Sequence, residues 1–289
     1  MLNINTNYAA SFASNAAKAS SQGLNSAMEK LSTGMRINYA KDDAAGQAIS
    51  TRLSAEVQGL QTASRNAADA QSMIDTAEGA LQETHNVLLR MRELAVQSAN
   101  GTLTDGDRAH TDAEFDQLVA EITRIAENTT WAGKKLLDGS VDGGHADRPA
   151  LSFQVGEGAN QVIDVTIADM SADVLGTVTG SGAVANLTAA GLDSAANAQI
   201  AITSIDKAID SVSTARGGMG AVSNRLSSTM SNLDQIAVNL SASQGRIQDA
   251  DFAQETGNLA KNQILQQAAT AMIAQANASK SSVLTLVRG

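Results

Sequence analysis

The sequence has no cysteine, a single proline and few rings: aromatic residues make up 2% of its 289 positions. The first absence excludes a disulfide framework, a thiolate nucleophile and a cysteine-ligated metal. The scarcity of rings argues against a compact core built on large side chains. Met1 to Ala10 carries neither a basic region nor an apolar stretch of the kind that opens a secretory leader. No run approaches the roughly 18 apolar residues of a bilayer span. Membrane partners are therefore not expected, and a chain of this kind that leaves the cell must take another route.

The sequence is also poor in motifs that carry chemistry. His85, His110 and His145 stand in unrelated contexts with no i, i+4 pairing, so a zinc site is not expected. Asp105, Asp107 and Glu114 hint at a calcium loop, but Ala109 stands where a third oxygen ligand belongs, and helix capping explains them better. Gly156-Glu-Gly158 is too short for a phosphate-binding fingerprint, and neither Gly-Lys-Ser nor Gly-x-Ser-x-Gly occurs. Asn128-Thr-Thr130 and Asn186-Leu-Thr188 fit a glycosylation pattern that arises often by chance. No enzyme, metal or cofactor is expected.

What the chain does have is alanine, within a hydrophobic share of 43%. Such a composition favours long helices packed closely through small side chains, and hence an elongated molecule. The net charge of −10 offers no basic patch to a nucleic acid. Its distribution is uneven. Residues 1–50 carry Lys18, Lys30, Arg36 and Lys41 against Glu29, Asp42 and Asp43, and 246–289 carry Arg246, Lys261, Lys280 and Arg288 against Asp249, Asp251 and Glu255. Each end is thus +1, leaving −12 for 51–245. Near-neutral ends can crowd together, whereas an acidic middle favours solvent.

Leu24, Met28, Leu31 and Met35 recur at the spacing of a narrow helical seam. Asp42 or Asp43 is placed to cap a new helix near Ala44, in which Ile49, Leu53, Val57, Leu60, Ser64, Ala67, Gln71, Ile74, Glu78 and Leu81 continue the seam, three of them polar. A left-handed stop is expected at Asn100-Gly101, giving an element about 80 Å long. Thr102–Asp107 reads as a turn and cap, followed by a shorter helix marked by Phe115, Leu118, Val119, Ile122 and Ile125. Residues 128–144 read as loop. Leu151, Phe153 and Val155 alternate with polar neighbours, as do Ile163, Val165 and Ile167, and Gly156–Asn160 between them completes a β-hairpin. Residues 176–196 are loop-like. Helical spacing returns with Ile202, Ile205, Ile209 and Val212, continues through Val222, Leu226, Leu233, Ile236 and Leu240, and ends in a segment carrying Phe252, Leu259, Ile264, Ala268, Ala271 and Met272.

The fold class is therefore mainly α, a long antiparallel helical coiled-coil rod formed by the two terminal segments with a small β-hairpin region. The terminal seam, Leu24, Met28, Leu31, Met35, Phe252, Leu259, Ile264, Ala268 and Met272, can be satisfied by pairing within the chain and with neighbouring copies. The extreme termini are expected to become helical only on assembly.

Leu31-Ser-Thr-Gly-Met-Arg-Ile-Asn-Tyr-Ala-Lys-Asp-Asp-Ala-Ala-Gly46, Arg90-Met-Arg-Glu-Leu-Ala-Val-Gln97, Asn100-Gly-Thr102 and Gly133-Lys-Lys-Leu-Leu137 are blocks that resemble the bacterial flagellin family, the first being similar to its N-terminal signature. Asn224-Arg-Leu226, Arg246-Ile-Gln-Asp-Ala-Asp251, Gln263-Ile-Leu265 and Ala274-Gln-Ala-Asn277 match the other end. Trp131-Ala132 departs from the family's usual Phe-Asn, and Ala278-Ser-Lys280 from its Gln-x-Pro.

The resemblance implies a short flagellin with three parts. These are an inner terminal coiled-coil domain, 1–42 plus 246–289; a rod domain, 43–175 plus 197–245; and a variable surface segment, 176–196, too short for an outer domain. It implies a homopolymeric extracellular filament serving motility, exported through the flagellar channel without a cleaved signal peptide, with the export apparatus, a secretion chaperone and a cap as partners. It also implies a face of Arg90, Arg92, Glu93, Leu94, Gln97 and Glu114 that serves subunit contact and recognition by Toll-like receptor 5. Lys30–Ile49 resembles the segment sensed by the plant receptor, with departures at Met35, Tyr39 and Gln47-Ala48. The alternatives are a hook–filament junction protein of the same superfamily, which lacks the central signatures, and a cytoplasmic signalling coiled coil, which leaves the hairpin and charge partition unexplained.

Overall fold

The computed structural model describes residues 6–140, 150–177 and 186–288, with side chains as far as 281. These residues form α1 (Tyr8–Thr33), α2 (Ala44–Ser98), α3 (Asp105–Asn128), β1 (Thr130–Trp131), β2 (Lys134–Lys135), β3 (Leu151–Gln154), β4 (Val162–Val165), α4 (Ala195–Gln248) and α5 (Phe252–Arg288). The fold is mainly α, with two small antiparallel strand pairs. The chain divides into two compact units, 1–57 with 238–289 and 58–237. The terminal unit thus takes in 43–57 and 238–245 besides the terminal helices.

In the terminal unit α1 and α5 lie antiparallel: Asn7 Nδ2 donates to Asn277 Oδ1 at 3.3 Å, and Lys30 Nζ meets Glu255 Oε1 at 3.5 Å. The side of α1 turned inward is Ala13, Ala17, Ser20, Leu24, Ala27 and Leu31, in alternating steps of three and four. Leu24 and Leu31 were expected there, but Ala27 takes the place assigned to Met28. Small side chains let two backbones approach closely, so size outranks hydropathy at this seam. Both α1 and α5 are continuous helices in this structure. The alanine seam gives each its partner within one molecule. Gly34 closes α1 in the left-handed conformation at φ 71°, and the chain then pairs Met35 with Asp249 in an isolated bridge.

Asp43 caps α2, its Oδ1 accepting from Gly46 N–H at 2.9 Å, and Asp251 caps α5 by accepting from the amides of Ala253 and Gln254. The expected left-handed stop at Asn100-Gly101 is absent: neither residue has positive φ. A buried arginine does the work instead. Arg108 of α3 donates from Nε to Ser98 O, from Nη2 to Asn100 O and from Nη1 to Leu103 O, all at 2.9–3.0 Å. Carbonyls orphaned at the end of α2 are thereby satisfied.

In the second unit α2 and α4 also run antiparallel. Buried Leu60, Ala63, Ala67, Ala70, Ile74, Ala77 and Leu81 form the α2 seam. The polar positions read into it, Ser64, Gln71 and Glu78, stand one residue further on and flank it. They reach across to α4, Ser64 to Asp234 at 3.2 Å, Gln71 to Ser223 at 2.7 Å and Glu78 to Arg216 at 3.6 Å. On α4 the buried stripe is Ala201, Ile205, Ala208, Val212, Met219, Leu226 and Leu233, while Ile236 is exposed. α3 adds Phe115 and Ile122 to the same core.

The expected hairpin is β3–β4, registered Phe153 opposite Ile163, with Ile163, Val165 and Ile167 buried. Part of the stretch read as loop is a second hairpin, β1–β2. Its turn is Ala132-Gly133, with φ of 48° and 81°, the two positive values that a type I′ turn requires. Residues 141–149, His145 among them, and 178–185 lie outside the described residues. Within 186–192, Leu187 and Leu192 are buried, and Leu192 N–H donates to Asp112 Oδ1 at 2.6 Å.

Candidate functional site

Two surfaces carry the residues singled out in the sequence. The first is the outer side of the terminal pair. Met28 of α1 and Phe252, Ile264 and Met272 of α5 are all more than half exposed. The expectation that they pair within the chain is corrected: inward-facing positions on α5 are Glu255, Leu259, Asn262, Gln266, Ala269 and Ile273. Leu259 alone of the expected α5 set lies on that seam; Ala268 is exposed, and the buried alanine is Ala269. Met35 is half-buried, its sulfur accepting from Gln248 Nε2 at 2.9 Å. Tyr8 and Phe12 of α1 and Leu265 of α5 are further exposed apolar side chains that the spacing did not single out. Folding one chain leaves these side chains in water, at about 25 cal/mol for each Å² of apolar surface that stays uncovered.

The second surface is the outer side of α2 and α3. Arg90 is held by two carboxylates: Nη1 donates to Glu93 Oε2 at 2.6 Å, while Nε and Nη2 donate to Glu114 Oε1 at 2.9 and 2.8 Å. Glu93 first and Glu114 second hold its guanidinium above the ordinary arginine value. Arg92 Nε donates to Asp206 Oδ1 of α4 at 2.8 Å. Gln97 is exposed beside them. Leu94 is corrected. At 1% exposure it belongs to the core with Phe115 and offers no contact surface. The neighbouring apolar side chains that do face out are Leu89 and Val96, each 49% exposed. The seam phase through Leu88, Met91 and Ala95 carried that signal, because the positions just after Leu88 and Ala95 fall on the opposite side.

The acidic residues that hinted at a calcium loop are occupied otherwise. Thr104 and Asp107 form a capping box, Asp105 lies 3.6 Å from Arg108, and Glu114 holds Arg90. Among the described residues no group of three or more histidine, aspartate or glutamate side chains could hold a metal, and no helix is long and apolar enough to cross a membrane.

A helix pair that leaves large apolar side chains in water, in a chain whose other unit closes its own core and where no metal cluster is found among the described residues, has the features of a structural, interaction-forming protein. The comparisons agree. Residues 4–142 match the family model of the bacterial flagellin N-terminal helical region, and 202–287 that of the C-terminal helical region. A flagellin of Halalkalibacterium halodurans is 44% identical over 262 residues, covering 91% of each chain. One of Bacillus subtilis is 42% identical over 306 residues, covering 99% of this chain and all of its own. A flagellar hook-associated protein of Vibrio parahaemolyticus shares the fold, with a TM-score of 0.59 at 18% identity over 72% of this chain and 100% of that one. The chain belongs to the flagellin family. It is a structural subunit of the extracellular flagellar filament, a polymer of such chains that serves motility.

Proposed function

We propose that the exposed stripes of α1 and α5 are the surface through which subunits pack along the filament interior, with 1–42 and 246–289 as the inner domain. Residues 43–175 and 197–245 then form the rod, and 176–196 its outward segment. The observation that carries this is the exposure of Phe252, Ile264 and Met272, side chains whose burial yields roughly 1.5–3 kcal/mol each once a neighbour covers them. Before assembly the same stripes need cover, which fits a secretion chaperone, delivery through the flagellar export apparatus without a cleaved signal peptide, and a cap at the growing tip. The test is electron microscopy after salt-induced polymerisation. Full-length protein forms tubes and a chain lacking residues 1–40 does not; tubes of equal yield from both chains would remove the role of the ends.

A second role belongs to the face of Arg90, Arg92, Glu93, Gln97 and Glu114. We infer that it contacts neighbouring subunits and, on the free subunit, Toll-like receptor 5, with Leu89 and Val96 supplying the apolar part in place of Leu94. Binding of a Leu89→Asp/Val96→Asp variant to the receptor ectodomain tests it. Weakened binding is expected, and unchanged affinity removes Leu89 and Val96 from the interface.

A further inference from the structure

Sulfur is distributed unevenly over this molecule. Met73, Met91, Met170 and Met219 are buried in the second unit, and Met35 and Met230 are half-buried. Among the described methionines two are largely exposed, Met28 at 52% and Met272 at 61%, and both lie on the terminal helices. By the register that sets Asn7 beside Asn277 and Gly23 beside Asn262, Met272 is level with the exposed ring of Phe12.

We propose that Met28 and Met272 are oxidation sites at which a peroxide blocks incorporation of the unassembled subunit, an inference that rests on the terminal stripes being the packing surface. A sulfur lone pair attacks one peroxide oxygen. An S–O bond forms as the O–O bond breaks, sulfur is oxidised, and the second oxygen leaves as water after taking the proton of the first. Exposure sets the selectivity, since the sulfurs inside the second unit are shielded from the oxidant. The product is a polar, chiral sulfoxide on a surface that must be dried to pack. In the free subunit both sulfoxides stay hydrated, so the fold is untouched and only assembly suffers. Once packed, the same sulfurs are covered, so oxidation acts on subunits and spares the finished filament.

The experiment treats full-length monomer with hydrogen peroxide, locates sulfoxides by peptide mass spectrometry, and follows salt-induced polymerisation by sedimentation, with circular dichroism as the check on fold. Met28 and Met272 are expected to oxidise well before Met73 and Met91. Polymerisation is expected to fall on the order of tenfold per buried sulfoxide. Methionine sulfoxide reductase restores it, and M28L/M272L shows no further loss on peroxide treatment relative to the same variant untreated. Equal oxidation of Met73 and Met91, or normal polymerisation of protein oxidised at both sites, overturns the proposal. Loss of polymerisation in oxidised M28L/M272L that the reductase reverses places the sensitive sulfur elsewhere and also overturns it. Failure of untreated wild type to polymerise counts against the packing surface instead, while the oxidation map still decides whether these two sulfurs are the reactive ones.

Discussion

The two units solve the same packing problem and leave opposite remainders. In 58–237 three helices and a hairpin enclose Phe115, Ile74, Leu81, Leu88 and Ile122, all out of contact with water. Among the described residues of the terminal unit Ala13, Ala27, Ile37, Leu53 and Ala269 are the buried hydrophobic ones, while Tyr8, Phe12, Met28, Phe252, Ile264 and Met272 are exposed. One unit closes its core within a single chain; the other holds together by a thin alanine seam and leaves large apolar side chains in water, which on the proposed reading neighbouring copies cover. If the proposed packing surface is right, stability resides in the second unit and assembly in the first, and substitutions should separate the two.

The sharpest separation comes from Phe252→Asp/Ile264→Asp. Charging two packing positions should suppress polymerisation by on the order of a thousandfold or more while leaving unfolding of the second unit, followed by the fluorescence of the single Trp131, where it was. A matching loss of stability would merge the two units into one.

Next in size is Leu94→Ala, a cavity in a closed core, expected to cost about 2–5 kcal/mol in denaturant unfolding. Arg90→Ala, its neighbour one turn away, removes ion pairs nearly half open to solvent and should cost under about 1 kcal/mol. Equal effects would return Leu94 to the surface.

Arg108→Met takes the guanidinium donors from the carbonyls of Ser98, Asn100 and Leu103, leaving Asn100 only the long bond from Leu103 N–H at 3.4 Å. About 1–3 kcal/mol of stability is expected to go, together with faster amide exchange at the C-terminal end of α2.

The smallest effect has the opposite sign. Ala132 holds a positive φ that alanine adopts only under strain, so Ala132→Asn is expected to stabilise the β1–β2 turn by roughly 0.5–1 kcal/mol. No gain, or a loss, would mean the turn is held by its surroundings.

Much of this was legible in the sequence, and the misses share a cause. Helix spans, the Asp43 cap, the β3–β4 hairpin and the antiparallel termini follow from periodicity and turn chemistry. Hydropathy, however, ranks Met28 above Ala27, and ranking by heptad position admitted Ser64, Gln71 and Glu78. In close-packed helices the seam selects small side chains, so Ala27, Ala63, Ala70 and Ala77 lie inside while their larger or polar neighbours flank it. Leu94 is a separate case: a leucine four residues from Arg90 shares the arginine's side of α2 by spacing, yet it lies in the core with Phe115 of α3, a neighbour that only the fold supplies. Arg108 could not be seen, because a buried arginine serving as a helix cap is defined by three carbonyls that only the fold brings together. The β1–β2 hairpin lies where Ala132 replaces the family's asparagine, the residue that would have announced a left-handed turn.

Hydroxyl-radical footprinting of free subunits and assembled filaments tests most directly whether the terminal stripes are covered by copies. Phe12, Met28, Phe252, Ile264 and Met272 should label strongly in the subunit and weakly in the filament, with buried Phe115 and Met91 unreactive in both. Equal labelling of the terminal side chains in the two states would contradict the division between a complete unit and one that assembly completes.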